Sequence, residues 1–412
     1  MISVAEALAK VLEGVGPIER IETVRTEDAD GRILAETLHA GRDQPPFRAS
    51  AMDGYAVRAE DVRVGTPLEL IGESKAGQRF GGALGAGETV RIFTGAPLPD
   101  GADAILIQEN AHRDGTTVRP TEAVSAGRYV RPAGGDFARG AMLLETGSAL
   151  GAGAIVLLAS ANVARVRVLA RPKVAIIATG DELVPLGTVP DVDQIVASSI
   201  LGVAAILRGA GAETIDCGIA RDNAHSLDAA LDRATDAGAD VVVTLGGASV
   251  GDHDLVRPVF ERRAVRWTFE RIAMRPGKPL MHGRDRERVY LGLPGNPVSS
   301  LVCAIVFGVP LLAALQGRVS TLTWTPAVLG ADLPTNDRRE EFMRVRVEQA
   351  GHGPVAYPFD SQDSSLVTRF ALADALLHRP ANAPASAAGD PCEVTFLRTT
   401  RDSPLRAIGD AG

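Results

Sequence analysis

The residues with the most chemical reach lie in short turns that follow apolar runs. After VAIIAT comes Gly180-Asp181-Glu182. After DVVVTL comes GGASVGDHD, which sets Gly246, Gly247 and Ser249 ahead of Asp252, His253 and Asp254. After RVYLGL comes PGNPVSS, with Pro294, Asn296 and Pro297. Between the last two, RIAMRPGKP supplies Arg271, Arg275 and Lys278. Gly246 and Gly247 let a ligand approach the backbone closely. Asn296 suits a helix N-cap and Pro297 the first helical position, so the free N–H groups of the apolar helix that follows form a ready anion site. With the three basic side chains, this composes an anion pocket, most simply for phosphate. The carboxylates would repel a bare phosphate. Two resolutions stay open: a hard divalent cation such as Mg²⁺ bridging acid to phosphate, or a ligand N–H or hydroxyl donating to a carboxylate.

Taken singly, each stretch has a plainer reading. GDEL is often a turn and helix cap, GGASVGDHD a tight turn, and the RPGKP basics ordinary surface charge. His253 reads as a bystander rather than a metal ligand. GALGAGET at 82–89 fits neither the dinucleotide nor the P-loop spacing and is set aside.

The elements that position these turns are an α/β alternation. The run from Lys173 onward reads strand, helix, strand, helix, strand, and its fully apolar strands are those of a parallel sheet buried on both faces. In such a sheet ligands bind beyond the carboxyl ends of the strands, where the three turns lie. Before it, residues 42–135 carry short alternating runs broken by Gly and Pro, a β-rich excursion between helical pieces. After it, the chain returns to short strands. The expected division is 1–41 with 136–170 as a discontinuous mixed helical and β domain, 42–135 as an inserted β-rich domain, 171–318 as the α/β domain, and 319–412 as a small β domain.

A net charge of −8 argues against a nucleic-acid partner. Cys217, Cys303 and Cys392 form no CxxC pair and the histidines show no zinc spacing, so a reducing cytoplasm is expected. The N-terminus reads as an amphipathic helix rather than a signal peptide. The apolar run 301–315, interrupted by Pro310, is short for a membrane span and reads as a buried helix, with no membrane association expected.

Taken together, PFRASAMDGYAVR (46–58), RIFTGAPLPDGADAILIQE (91–109), RPAGGDFARG (131–140), ATGDELV (178–184), TLGGASVGDHD, MRPGKPL (274–280) and LGLPGNPVSS (291–300) resemble the molybdopterin molybdenumtransferases, the family of bacterial MoeA and the E domain of gephyrin. The stretches follow the family's order and span most of the chain.

The resemblance implies a homodimer of four-domain subunits. These would be a mixed dimerisation domain, the inserted β-rich domain, a MogA-like α/β molybdopterin-binding domain and a C-terminal β-barrel. It implies molybdenum insertion: adenylylated molybdopterin and molybdate give molybdenum cofactor and AMP, with Mg²⁺ or a similar ion. A separate molybdopterin adenylyltransferase would supply the adenylate.

Carried over by motif, Asp53, Thr94, Asp136, Glu182, Asp222 and Asp254 are expected at the reacting centre, with Glu182, Asp222 and Asp254 as metal ligands. Gly246, Gly247, Ser249, Arg271, Arg275, Lys278, Pro294, Asn296, Pro297, Arg344 and Ser364 are expected to bind substrate. Family sites combine the α/β domain of one subunit with the inserted domain of the other, so Asp53 and Thr94 would act across the dimer.

Two departures stand out. DQIVASSIL has Ser198 and Ser199 where an Asn-containing pair is expected, and Arg271 and Arg275 replace lysines common in the family, which keeps charge but substitutes a planar fork. Rival readings are a non-catalytic scaffold and a different phosphate-handling α/β hydrolase. The retained acids and RPGKP oppose the first. SAMDGYAVR, on an inserted domain that a simple hydrolase does not need, opposes the second.

Overall fold

The computed structural model describes residues 1–247, 256–319, 322–351 and 353–397. The chain divides into two compact units, Met1–Arg20 with Leu169–Gly412, and Ile21–Val168.

The first unit is built on a six-stranded sheet. Its strands are β1 (Lys173–Thr179), β2 (Glu213–Ala220), β3 (Val241–Leu245), β4 (Arg266–Phe269), β5 (Met281–Arg284) and β6 (Val289–Leu293), in the order β2-β1-β3-β6-β5-β4. The first four in that order are parallel; β5 and β4 are antiparallel additions. Alternation explains why β1 and β3 are apolar throughout. Val174, Ile176, Ala178, Val241, Val243 and Leu245 pack into one buried cluster. Ala175, Ile177 and Val242 pack into another with Leu227, Leu231 and Phe260. Both faces of the strands are thus covered, as parallel sheets require. The first face is covered by α1 (Ser198–Gly209) and by the helical run from Pro297 to Leu315, and the second by α2 (Ala224–Asp236) and α3 (Val256–Arg262).

The run Pro297–Leu315 is 19 residues long and apolar enough to cross a membrane by composition, but 83% of its most apolar 18-residue stretch is buried inside the protein. It is therefore the expected core helix, four residues longer at its start than the apolar run 301–315 itself.

Residues 1–20 belong to this unit, whereas the sequence grouped them with 21–41. The helix Val4–Leu12 carries a Ser3–Glu6 capping box, and its apolar stripe sends Ala7 and Val11 into the same cluster as the α/β sheet.

The C-terminal part of the unit is a closed barrel of β7 (Thr325–Leu329), β8 (Glu340–Ala350), β9 (Gly353–Pro358), β10 (Ala375–Arg379) and β11 (Pro391–Phe396). Pairing runs β8-β9-β7-β11-β10 and returns to β8, so no edge of the ring is left open. Val345, Ala356, Ala375, Leu377 and Val394 fill it.

In the second unit, Ala29, Leu34, Leu150, Leu158, Val166 and Val168 form one cluster from the two ends of the segment. A six-stranded sheet lies between, with Ala56, Val90, Ile92 and Ile105 on one face and Tyr55, Val57, Leu68, Leu106 and Val118 on the other. The outgoing and returning chains run side by side where Asp136 N–H donates to Gln44 O at 2.9 Å and Gln44 N–H to Phe137 O at 2.9 Å.

Candidate active site

The register of the parallel strands brings their carboxyl ends level. Ala178 lies beside Leu245, Leu245 beside Leu293, and Thr179 beside Ala220. The chain enters the sheet at β1, steps to one side for β2 and to the other for β3, so β1 and β3 flank the topological switch point, where open α/β sheets hold their ligands. The turns after them touch. Gly246 has φ +97°, and a Cβ there would stand 2.7 Å from Thr179 O and 2.8 Å from Thr179 Oγ1. A Cβ on Gly295 would stand 3.4 Å from the Gly246 Cα. Gly246 N–H donates to Leu293 O at 3.1 Å. Only a residue without a side chain, tolerant of positive φ, closes three backbones together here.

The turn after β1 is tied to the turn after β2. The Arg221 guanidinium donates to Asp181 O at 2.6 Å and Leu183 O at 3.3 Å, and Asp222 N–H donates to Asp181 Oδ1 at 3.1 Å. Glu182 folds back over Gly180, so that a Cβ on Gly180 would collide with the Glu182 carboxylate. Asp181, Glu182 and Asp222 are all exposed. Arg221 is a residue that sequence reasoning passed over, although it stands at the strand end immediately before Asp222.

Among the described residues no three His, Cys, Asp or Glu side chains come together as a metal site. The donor set fits a Mg²⁺ ion in one mode only. Mg²⁺ commonly takes one or two protein carboxylates and completes its shell with water and ligand phosphate oxygens. Glu182 and Asp222 supply carboxylates of that kind on neighbouring turns. Ser249 and Asp254, with Asp252 and His253, lie outside the described residues.

The turn after β6 differs in detail from expectation. Asn296 occupies the N-cap and Pro297 the first helical position, but the Asn296 side chain makes no capping bond, and its buried Oδ1 has no partner among the described residues. The N–H of Val298 is not free for an anion, because it donates to Ser364 O at 3.2 Å. Pro294 is buried. The basic stretch divides as well. Arg271 and Lys278 are exposed, whereas Arg275 donates to Glu341 Oε2 at 2.5 Å, a carboxylate whose side chain is only 7% exposed. Arg275 is thus a brace between the α/β domain and the barrel as well as a local cation. Ser198 opens α1 and is exposed; Ser199 is half-buried.

Arg344, on β8, is the largest fully buried side chain among the described residues, at 1% exposure. Its Nε donates to Gln362 Oε1 at 3.1 Å and its Nη1 to Asp363 O at 2.9 Å. Its Nη2 has no partner among the described residues. Burial lowers its pKa, against the opposing pull of Asp363 and Glu341. The loop that holds Arg344 also delivers Ser364 to the start of the Pro297 helix. Arg344 and Ser364 are therefore assembled beside the third turn.

In the second unit, Asp53 and Thr94 form a pair. The Thr94 N–H and Oγ1–H both donate to Asp53 Oδ1, at 2.7 and 2.8 Å. The Thr94 backbone bond, then its hydroxyl, then Arg91 hold the Asp53 carboxyl below the usual range. Arg91 is itself fixed by Gly54 O at 3.1 Å and Gln108 Oε1 at 2.7 Å, and lies over the rings of Tyr55 and Phe93. Asp136 is exposed.

Comparison with known proteins gives this arrangement its family. Residues 2–162 match the MoeA N-terminal region (domain I and II), residues 175–314 a probable molybdopterin-binding domain, and residues 326–397 the MoeA C-terminal region (domain IV). The chain is 36% identical over 320 residues to a molybdopterin molybdenumtransferase of Haemophilus influenzae, covering 77% of this chain and 78% of that protein. It is 34% identical over 407 residues to molybdopterin molybdenumtransferase 2 of Mycobacterium tuberculosis, covering 95% and 97%. A crystal structure of a molybdopterin biosynthesis MoeA protein from Pyrococcus horikoshii superposes with a TM-score of 0.82 at 33% identity, over 97% of this chain and 100% of that one. The three matches fall in chain order across the two units, and the chain belongs to the molybdopterin molybdenumtransferase family.

Proposed function

We propose that the protein converts adenylylated molybdopterin and molybdate into molybdenum cofactor and AMP. The observation that carries this reading is the strand-end edge, where Gly246 packs its bare backbone against Thr179 and beside Gly295. Such an edge accepts a phosphorylated ligand closely. Arg271 and Lys278, exposed and charged, are available to the ligand's anionic groups. Arg344 and Ser364 offer a second, more enclosed anion locus suited to a tetrahedral oxyanion, since Arg344 retains an unpaired donor in a buried setting.

When bound, Mg²⁺ would neutralise phosphate charge and favour release of AMP. Glu182 and Asp222 are the described carboxylates that would hold it. Glu182 also serves as an acceptor for pterin N–H groups. The Asp53–Thr94 pair presents a fixed negative charge, and we assign it to the site of a second copy in a homodimer. A separate adenylyltransferase supplies the substrate.

The test is AMP release from adenylylated molybdopterin, with and without molybdate and Mg²⁺. Release that depends on both supports the reading. Tight binding without turnover favours a scaffold, and molybdate-independent release favours a hydrolase.

A further inference from the structure

Both hydrogen bonds that the described residues accept from the Arg344 guanidinium go to neutral oxygens, while the Asp363 and Glu341 carboxylates act on it at longer range. Oε1 of Gln362 takes Nε, and the backbone carbonyl of Asp363 takes Nη1. The Asp363 carboxylate makes no hydrogen bond to the guanidinium; its Oδ1 accepts the Ser365 N–H at 2.8 Å and hydroxyl at 2.7 Å. Gln362 does more than meet one donor. Its Oε1 also accepts Arg344 N–H at 2.9 Å, while its Nε2 donates to Arg344 O at 3.0 Å and Phe359 O at 3.2 Å. Two donors face the amide oxygen and two acceptors face the amide nitrogen, so its orientation is fixed by all four bonds.

We propose that Gln362 is a positioning residue for Arg344, holding the guanidinium so that Nη2 is presented to an oxyanion without placing a carboxylate in direct contact with it. A carboxylate at 362 would grip the same fork more strongly, and would also neutralise it. The amide orients without neutralising. The proposal rests on the reading of Arg344 as an oxyanion ligand.

Two substitutions separate this from a merely structural role. Gln362→Leu removes all four bonds. Gln362→Glu keeps the acceptor at Oε1, sets a carboxylate oxygen against the Arg344 and Phe359 carbonyls in place of the two donated bonds, and adds a charge beside the guanidinium. If Gln362 is only a strut, Leu is the more damaging change. If it is a charge-sparing positioner, Glu is the more damaging change for the oxyanion.

The experiment is equilibrium binding of molybdate to the full chain, for wild type, Gln362→Glu, Gln362→Leu and Arg344→Ala, with a thermal melt of each. The same variants are then scored for KM of molybdate and of adenylylated molybdopterin. The expected result is that Arg344→Ala loses molybdate binding. Gln362→Glu should weaken it on the order of tenfold or more, and further than Gln362→Leu, with the higher KM confined to molybdate. Should Arg344→Ala lose binding while Gln362→Glu binds at least as well as Gln362→Leu, the positioning role is overturned and the oxyanion site stands. Wild-type binding in Arg344→Ala overturns the oxyanion site itself, and the positioning role with it.

Discussion

His282 makes the α/β unit sensitive to acid. It sits on β5 with no solvent exposure, its ring stacked on Phe269 at 5.5 Å. Nδ1 lies 2.6 Å from Thr268 Oγ1, and Nε2 has no partner among the described residues. Burial, then the nearby Arg284 and Lys10, lowers its pKa to about 4. The folded pKa is therefore below the unfolded value of about 6.5. As pH falls, the unfolded chain takes up the proton first, so stability present at neutral pH is lost between about pH 6.5 and 4. With those two values, linkage gives a loss of about 2 kcal/mol by pH 5 and about 3 kcal/mol once both states are protonated. The perturbation is His282→Gln, which removes the titration. Trp267, on β4 of the same sheet with its ring 5.4 Å from that of Phe260 on α3, reports unfolding by fluorescence in urea. The variant is expected to be less stable than wild type at pH 7.5, with the gap closing by about 2 kcal/mol at pH 5. A gap unchanged between the two pH values would refute the assignment of a buried neutral imidazole.

Gly246→Ala forces a side chain into positive φ and against Thr179 O, so it should destabilise the unit by about 2 kcal/mol or more and abolish substrate binding, read by a urea titration and by binding of adenylylated molybdopterin. Asp53→Asn keeps the shape that accepts Thr94 but removes the charge. Circular dichroism should be unchanged while turnover falls on the order of a hundredfold, and full activity would remove Asp53 from the site. Arg275→Ala strands the buried Glu341 carboxylate and should cost about 1–3 kcal/mol, with Glu341→Gln in the same chain recovering most of it in a double-mutant cycle.

The parts of this site that were legible in the sequence share a cause. VAIIAT and DVVVTL are apolar at every position because both faces of β1 and β3 are covered, and a strand of that kind announces where its ligand-facing turn begins. The family motifs then supplied residues from all parts of the chain. What the sequence hid is non-local. Nothing near Gln362 indicates that its amide will meet Arg344, 18 positions earlier on β8. Likewise, nothing near Pro297 indicates that Ser364 will take the Val298 N–H. The packing of residues 1–20 against the α/β sheet was hidden for a related reason. The stripe of Val4, Ala7 and Val11 shows that the helix is amphipathic, but not which core receives it. Arg275 reads as a free cation until Glu341, 66 positions later, is found beside it.

In the proposed reaction molybdenum enters the pterin as AMP leaves. Its most direct test is a single-turnover reaction of the purified protein with adenylylated molybdopterin and molybdate, measuring pterin-bound molybdenum and released AMP in the same sample. The two are expected in equal amounts and at the same rate, and neither is expected with Glu182→Gln. AMP released at full rate with no molybdenum on the pterin would contradict it.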